Sequence, residues 1–214
     1  MTKEELREKV WTVLEKKRVA RFPGARGRIP NFKGAEKCAE LVAQFDVWQR
    51  AKVIKANPDS PQRAIRYLAL KQGKAIYMAV PASSIKGAFE FGRQISVKEM
   101  KPVDLILCGS VAVRRNGARI GKGGGYSDLE FAIALEAGII GRKTPIITTV
   151  HPLEIVDYKI DLNPYDIPVD FIITPDEIVR TRTRLSRPKG IYWQLLDEEK
   201  IGAIPLLQKL KRRR

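Results

Sequence analysis

From Glu4 to Lys17 the apolar residues Leu6, Val10, Val13 and Leu14 recur at helical spacing among charged positions, and Thr2 with Glu5 three residues on has the form of a capping box. The pattern predicts an amphipathic opening helix. Residues 21–34 carry two prolines, three glycines and several basic residues, which predicts an ordered loop before helical periodicity resumes over 35–45. Ala51 to Ala56 reads as a short strand, Asn57-Pro58-Asp59-Ser60-Pro61 as a turn, Gln62 to Gln72 as a helix stopped at Gly73, and Lys74 to Val80 as a second strand. Strand, helix, strand is the mark of a parallel βαβ unit. Further on, Val103 to Leu107, Pro145 to Val150 and Val169 to Thr174 are strands of the buried kind, and Tyr126 to Ala137 is a helix closed by Gly138. None of these runs alternates cleanly between polar and apolar, so the strands are expected to be covered on both faces. The fold class read from this is α/β: a three-layer αβα Rossmann-like domain with a mainly parallel sheet. The apolar set Ile201, Ile204, Leu206 and Leu207, following Trp193, is expected to dock the ending on the body.

A chain of 214 residues without an interrupting linker suits one domain over 1–214, with a basic, frayed tail at 211–214. Hydrophobic residues at 44% and charged residues at 30% exclude disordered, collagen-like and disulfide-scaffold classes. No apolar run reaches the length of a membrane span, and the charged start leads straight into a helix, so a cytoplasmic protein without membrane contact is expected. Cys38 and Cys108 belong to no Cys/His cluster, which reads as two buried thiols and excludes a structural zinc. Forty Lys+Arg against 24 Asp+Glu give a net charge of +16, which favours phosphates, nucleotides or nucleic acid as partners; solvated ion-pair faces of a heat-adapted protein are the other reading.

The chemistry concentrates in Arg119-Ile-Gly-Lys-Gly-Gly-Gly-Tyr-Ser-Asp128, which follows a strand pattern and opens a helix. Gly121, Gly123, Gly124 and Gly125 clear side chains so that successive amides can wrap phosphate oxygens, while Arg119 and Lys122 add full charges. Asp128 supplies an oxygen for Mg2+ beside those phosphates. The spacing is not a Walker A loop, because Gly117 precedes Gly121 by four positions and Gly123 follows Lys122. Nor is it G-x-G-x-x-G, and a plain strand-to-helix connection is the competing reading.

These residues carry a resemblance. Asp104-Leu-Ile-Leu, Gly109, Asn116-Gly117, Arg119-Ile-Gly-x-Gly-x-Gly-Tyr126 and Asp128 resemble the signature of the 5-formyltetrahydrofolate cyclo-ligase family, flanked by Lys3-x-x-Leu-Arg7 and Asp166-x-x-Val-Asp170. Arg28-Ile-Pro-Asn-Phe-Lys-Gly34, Val150-His151 and Pro188-x-Gly-Ile191 with Trp193 resemble a divergent branch of that family, found in archaea and as a synthetase-like domain in animal proteins. The resemblance implies a fold of the NagB/RpiA/CoA transferase-like kind and an ATP- and Mg2+-dependent ligase. In that reaction the formyl oxygen of 5-formyltetrahydrofolate attacks the γ-phosphate and N10 closes on the activated carbon, giving 5,10-methenyltetrahydrofolate, ADP and phosphate. Carried across, Lys3, Arg7, Arg119, Gly121, Lys122, Gly123, Gly124, Gly125 and Tyr126 would hold ATP. Tyr126 and Lys122 would serve the catalytic centre, and Asp128 with Asp166 would hold Mg2+.

The sequence departs from the family in three places. Ser127 stands where a second tyrosine is usual, Cys108-Gly109 where a Pro-Gly pair is usual, and Asp59 is the only acid in the turn that usually supplies a folate-binding carboxylate. A paralogue acting on another small substrate, thiamin-related for instance, is one alternative; a nucleic-acid-binding module is another, disfavoured because no RNP motif or zinc finger is present. Monomer and homodimer stay equally open. His151 reads as a hydrogen-bonded structural residue, Trp11, Trp48 and Trp193 as core or rim, and Arg28 with Lys33 either as phosphate contacts or as part of a packed lid.

Overall fold

Apolar runs without alternation become strands buried on both faces. The computed structural model describes residues 1–79 and 92–212; Val80, the expected end of the second strand, and Arg213 and Arg214 of the tail lie outside these. Six strands, β1 (Val53–Ala56), β2 (Ala75–Tyr77), β3 (Leu105–Cys108), β6 (Ile146–Thr149), β7 (Phe171–Ile173) and β8 (Ile178–Arg180), form one sheet in the order β2-β1-β3-β6-β7-β8. All neighbours are parallel except β8, which runs antiparallel to β7. Side chains on a strand point to opposite faces in turn. Leu105 and Leu107 therefore join Ile54, Ile147 and Ile173 in one core, while Ile106 and Cys108 join Ile146 and Ile172 in the other. The first core is closed by α2 (Ala35–Ala43), α3 (Asp46–Arg50) and α4 (Arg63–Lys71), the second by α5 (Tyr126–Glu136) through Phe131.

Helix α5 has two faces to bury. Leu129 and Ala132 pack against Ile191, Ile201 and Leu207 of the C-terminal segment, which contains α6 (Glu198–Ala203) and α7 (Pro205–Lys211). The expected docking of the ending is this contact. At the other end of the chain, α1 (Lys3–Lys16) opens with the capping box read from sequence. Thr2 Oγ1 accepts from the Glu5 N–H and the Glu5 carboxylate accepts from the Thr2 N–H. Its buried face, Leu6, Val10, Trp11 and Leu14, packs on Ala112, Ala118 and Ile120.

Those last residues belong to an element the sequence pattern did not announce. The chain leaves β3 and makes a two-stranded antiparallel ribbon, β4 (Ala112–Val113) with β5 (Arg119–Ile120), so the glycine-rich loop follows this ribbon and not a strand of the main sheet. Helix α3 and the edge strand β8 are also unpredicted. The helix expected over 35–45 ends at Ala43, and extended Phe45 stacks edge-on with Phe171 at 4.8 Å before α3 begins. The ribbon turns at Asn116-Gly117, where Gly117 has φ +93° and a Cβ would lie 2.6 Å from the Val169 carbonyl oxygen. Gly117→Ala is therefore expected to destabilise the fold by more than about 1 kcal/mol, lowering Tm by roughly 2–4 °C or more in a chain of this size. Thermal denaturation checks this; an unchanged Tm contradicts the placement of the turn.

Candidate active site

Chain order puts β2 on one side of β1 and β3 on the other, so the sheet reverses its winding direction between β1 and β3. In open α/β sheets a ligand crevice forms at such a switch point, beyond the carboxyl ends of the strands. The turn after β1 carries Asp59, and the residue after β3 is Gly109, where a Cβ would lie 2.7 Å from Asp59 Oδ2 and 2.9 Å from Ile29. Gly109 thus lets the turn and the 21–34 loop close over the strand end. Arg66 holds the turn by donating to the carbonyls of Asn57 and Asp59, each at 2.8 Å. Burial raises the Asp59 pKa against the opposing pull of Lys122 and Arg66. Beside it, Lys55 pairs with Glu130 of α5.

The glycine-rich loop lies between β5 and α5, and its two ends are tied. Arg119 of β5, with a side chain 2% exposed, pairs with Asp128 of the first turn of α5 at 2.6 Å. Asp128 Oδ1 also accepts from the Ile167 N–H at 3.0 Å. Burial opposes the Arg119 charge, but Asp128, Cys108 and Asp166 outweigh it and the guanidinium pKa is raised. The sequence reading gives Arg119 and Asp128 to separate ligands, phosphate and Mg2+. In the structure the two also pair with each other, in one buried ion pair across the loop.

Between these ties the alternate glycines each face a cation. A Cβ at Gly121 would lie 3.3 Å from Arg119 Nη1, at Gly123 3.7 Å from Arg7 Cζ, and at Gly125 3.3 Å from Lys200 Nζ. Gly123 and Gly125 have φ +113° and +65°, which side chains disfavour. Arg7 Nε donates to the Gly121 carbonyl at 2.7 Å, and Lys3 pairs with Asp166. Gly125 caps α5 without a side-chain hydrogen bond, leaving the helix its free N-terminal amides and partial positive charge. Lys3, Arg7, Arg119, Gly121, Gly123, Gly125, Asp128 and Asp166 together line one cavity of about 220 Å³. Lys122, Gly124 and Tyr126 do not line it. Lys122 instead approaches Asp59 at 3.9 Å, and Tyr126 is exposed, its ring 2.8 Å from where a Gly124 side chain would begin.

Asn163 and Tyr165 beside Asp166, and a wall drawn from residues 190–200 that includes Tyr192 and Lys200, also line the cavity, and the sequence reading missed these four. The wall's one local signal is Asp197, whose carboxylate caps α6 by accepting from the Lys200 N–H at 2.6 Å. Elsewhere the smaller expectations resolve. Trp11 and Trp48 are core residues, while Phe32, Ile29 and Pro30 are buried and Arg28 and Lys33 exposed, so the 21–34 loop is a packed cover with its charges outward. Cys38 and Cys108 are buried free thiols, and burial pushes the Cys38 pKa up to about 12. His151 Nδ1 accepts from the Leu153 N–H at 3.2 Å, a structural cap, and burial lowers its pKa.

Residues 1–175 match the 5-formyltetrahydrofolate cyclo-ligase family. The chain belongs to that family. Methenyltetrahydrofolate synthase domain-containing proteins of Danio rerio and Homo sapiens are 35% and 32% identical to this cyclo-ligase family member over 98% and 100% of its length. It spans 62% of the length of each. Two solved 5,10-methenyltetrahydrofolate synthetases share the fold. That of Aquifex aeolicus gives a TM-score of 0.57 at 18% identity, covering 92% of this chain and 100% of its own. That of Mycoplasma pneumoniae gives 0.51 at 16%, covering 81% and 98%. Among the described residues no helix is long and apolar enough to cross a membrane.

Next to His151, Glu154 is fully buried. Its Oε2 accepts from the His151 N–H at 2.6 Å, Oε1 has no partner among the described residues, and burial holds its pKa well above the ordinary 4.5. The folded protein binds this proton more tightly than the unfolded chain, so Glu154 makes stability fall as pH rises from about 4.5 through the raised folded value. Glu154→Gln cannot ionise and keeps the acceptor. Its Tm is expected to fall less than that of the wild type as pH rises across this window; parallel Tm profiles would contradict the buried, protonated carboxyl.

Proposed function

We propose that this protein is an ATP-dependent ligase that closes 5-formyltetrahydrofolate to 5,10-methenyltetrahydrofolate, the activity its family is named for. The observation that carries the reading is the convergence, on one cavity at the uncapped start of α5, of three glycines with Lys3, Arg7 and Arg119. Such a surface offers amide donors, full charges and a helix N-terminus to a polyphosphate. Arg119 Nε adds a buried N–H with no partner among the described residues, a donor that a phosphate oxygen would satisfy. Phosphoryl transfer asks a protein chiefly to position groups and neutralise charge, and no nucleophilic side chain is required.

The donor set also suits Mg2+, which takes one or two carboxylates and fills its octahedron with phosphate and water oxygens. Asp128 and Asp166 line the same cavity, and their contacts to Arg119, Lys3 and backbone N–H groups fall on a single oxygen of each. That leaves the second oxygen of each carboxylate for the ion. No group of three or more His, Cys, Asp or Glu is gathered among the described residues, so a cage made of protein ligands alone is not the design. Asp128 and Asp166 would hold the ion there, and its charge would help neutralise the phosphates.

For the folate half we assign recognition to Asp59, with Lys122 as the group joining the two halves, since it belongs to the loop and approaches Asp59. Lys122 would neutralise charge as the formyl oxygen takes the phosphoryl group, and Tyr126 would border both substrates. The test is incubation with Mg-ATP and 5-formyltetrahydrofolate, with the methenyl product followed by absorbance and ADP measured in parallel. Product and ADP are expected in equal amounts. Arg7→Ala, which removes one charge-assisted contact of about 1.5–3 kcal/mol, is expected to raise KM for ATP roughly ten- to a hundredfold. ADP release without methenyl product would point to another small substrate, and no nucleotide binding by calorimetry would end the ligase reading.

A further inference from the structure

The family match ends at residue 175, yet the cavity does not. One wall of it comes from residues 190–200, and the animal relatives align across 98–100% of this chain and so across this segment. The segment is fixed to the site's own helix. Ile191, Ile201 and Leu207 are buried against Leu129 and Ala132 of α5, and the Ile191 N–H donates to Glu136 Oε1 at 2.7 Å. Gly190 allows this approach, since a Cβ there would lie 2.8 Å from Glu136 Oε1.

From this anchored segment Lys200 reaches the loop. Its ammonium donates to the Gly124 carbonyl at 2.7 Å and lies 5.3 Å from the centre of the Tyr126 ring. Three of the cavity's cations already face a carboxylate: Lys3 faces Asp166, Arg7 faces Glu4, and Arg119 faces Asp128. Lys200 makes no ion pair among the described residues, and Asp197, the other acid on this wall, is engaged as the helix cap. An ammonium has three donors, and the Gly124 carbonyl uses one. The pattern of alternate glycines points the same way. Gly121 and Gly123 each leave room beside a cation from the family-matched region, and Gly125 leaves it beside Lys200.

We propose that the C-terminal segment completes the nucleotide site of this protein, with Lys200 as a phosphate-binding residue supplied from outside the family-matched region. The inference rests on the ATP reading above and adds a residue, and a whole wall, that the family match does not include. It separates charge from bracing. Lys200→Gln keeps a donor for the Gly124 carbonyl but loses the charge, Lys200→Met loses both, and Lys200→Arg keeps both.

The experiment is calorimetric titration of the full chain with Mg-ATP, paired with steady-state kinetics and a Tm for each variant. Lys209→Met serves as a control, because Lys209 is exposed on α7. Both Lys200→Met and Lys200→Gln are expected to weaken ATP roughly ten- to a hundredfold. KM for ATP should rise while KM for the folate holds, Lys200→Arg should retain most of the affinity, and the control should match the wild type. Wild-type affinity in Lys200→Gln, with or without a loss in Lys200→Met, would make Lys200 a brace or a bystander and overturn the inference alone. A wild-type protein that binds no ATP overturns both the inference and the reading on which it rests.

Discussion

The site depends on the buried pair of Arg119 and Asp128. They bracket the glycine-rich loop, one on the short ribbon strand before it and one in the first helical turn after it, so their contact fixes the span the glycines must bridge. The same carboxylate holds the Ile167 N–H, which brings neighbouring Asp166, and with it Lys3 of the first helix, to the loop. Three stretches of sequence, around the loop, at 166–167 and in the first helix, therefore meet through the two carboxylates of Asp128 and Asp166. Removing one partner of a buried pair strands the other charge in a dry site, at a cost of about 3–5 kcal/mol, so this contact governs stability and geometry together.

The cavity is arranged in pairs of opposite charge. Lys3 with Asp166 and Arg119 with Asp128 keep clustered cations from repelling one another before any ligand arrives. The same alternation would suit the ligand proposed above, with phosphate oxygens toward the basic members and a cation toward the acidic ones. At the switch point beyond the loop, Asp59 and the Lys55–Glu130 pair form a separate polar cluster, with Lys122 reaching toward it. Two neighbouring polar centres joined by a loop lysine would suit the two-substrate transfer proposed above.

Much of this was legible in the sequence because it is local. Leu105 to Cys108 is apolar at every position because both faces of β3 are covered, and Thr2 with Glu5 announced the first helix. The loop glycines stood out by their spacing and context, and Lys3, Arg7 and Asp166 joined them through the resemblance to the family. What was not legible depends on tertiary pairing. Strands of two residues, as in the ribbon, are too short to show a period; α5 itself was legible, but because it buries apolar residues on two faces no single stripe told what would cover it. Spacing does not reveal that Arg119 and Asp128 would spend their charges on each other, and nothing near Lys200 marks it as belonging to the loop. Only the docking of the C-terminal segment on Leu129 and Ala132 brings it there.

The central claim is that the loop between Arg119 and Asp128 is a polyphosphate cradle, and a crystal structure with Mg2+ and a non-hydrolysable ATP analogue tests it most directly. The account predicts phosphate oxygens within hydrogen-bond reach of the Gly121–Gly125 amides, with Arg7 and Arg119 alongside and the metal between Asp128 and Asp166. A nucleotide bound elsewhere, with this loop contacting no phosphate, would contradict it.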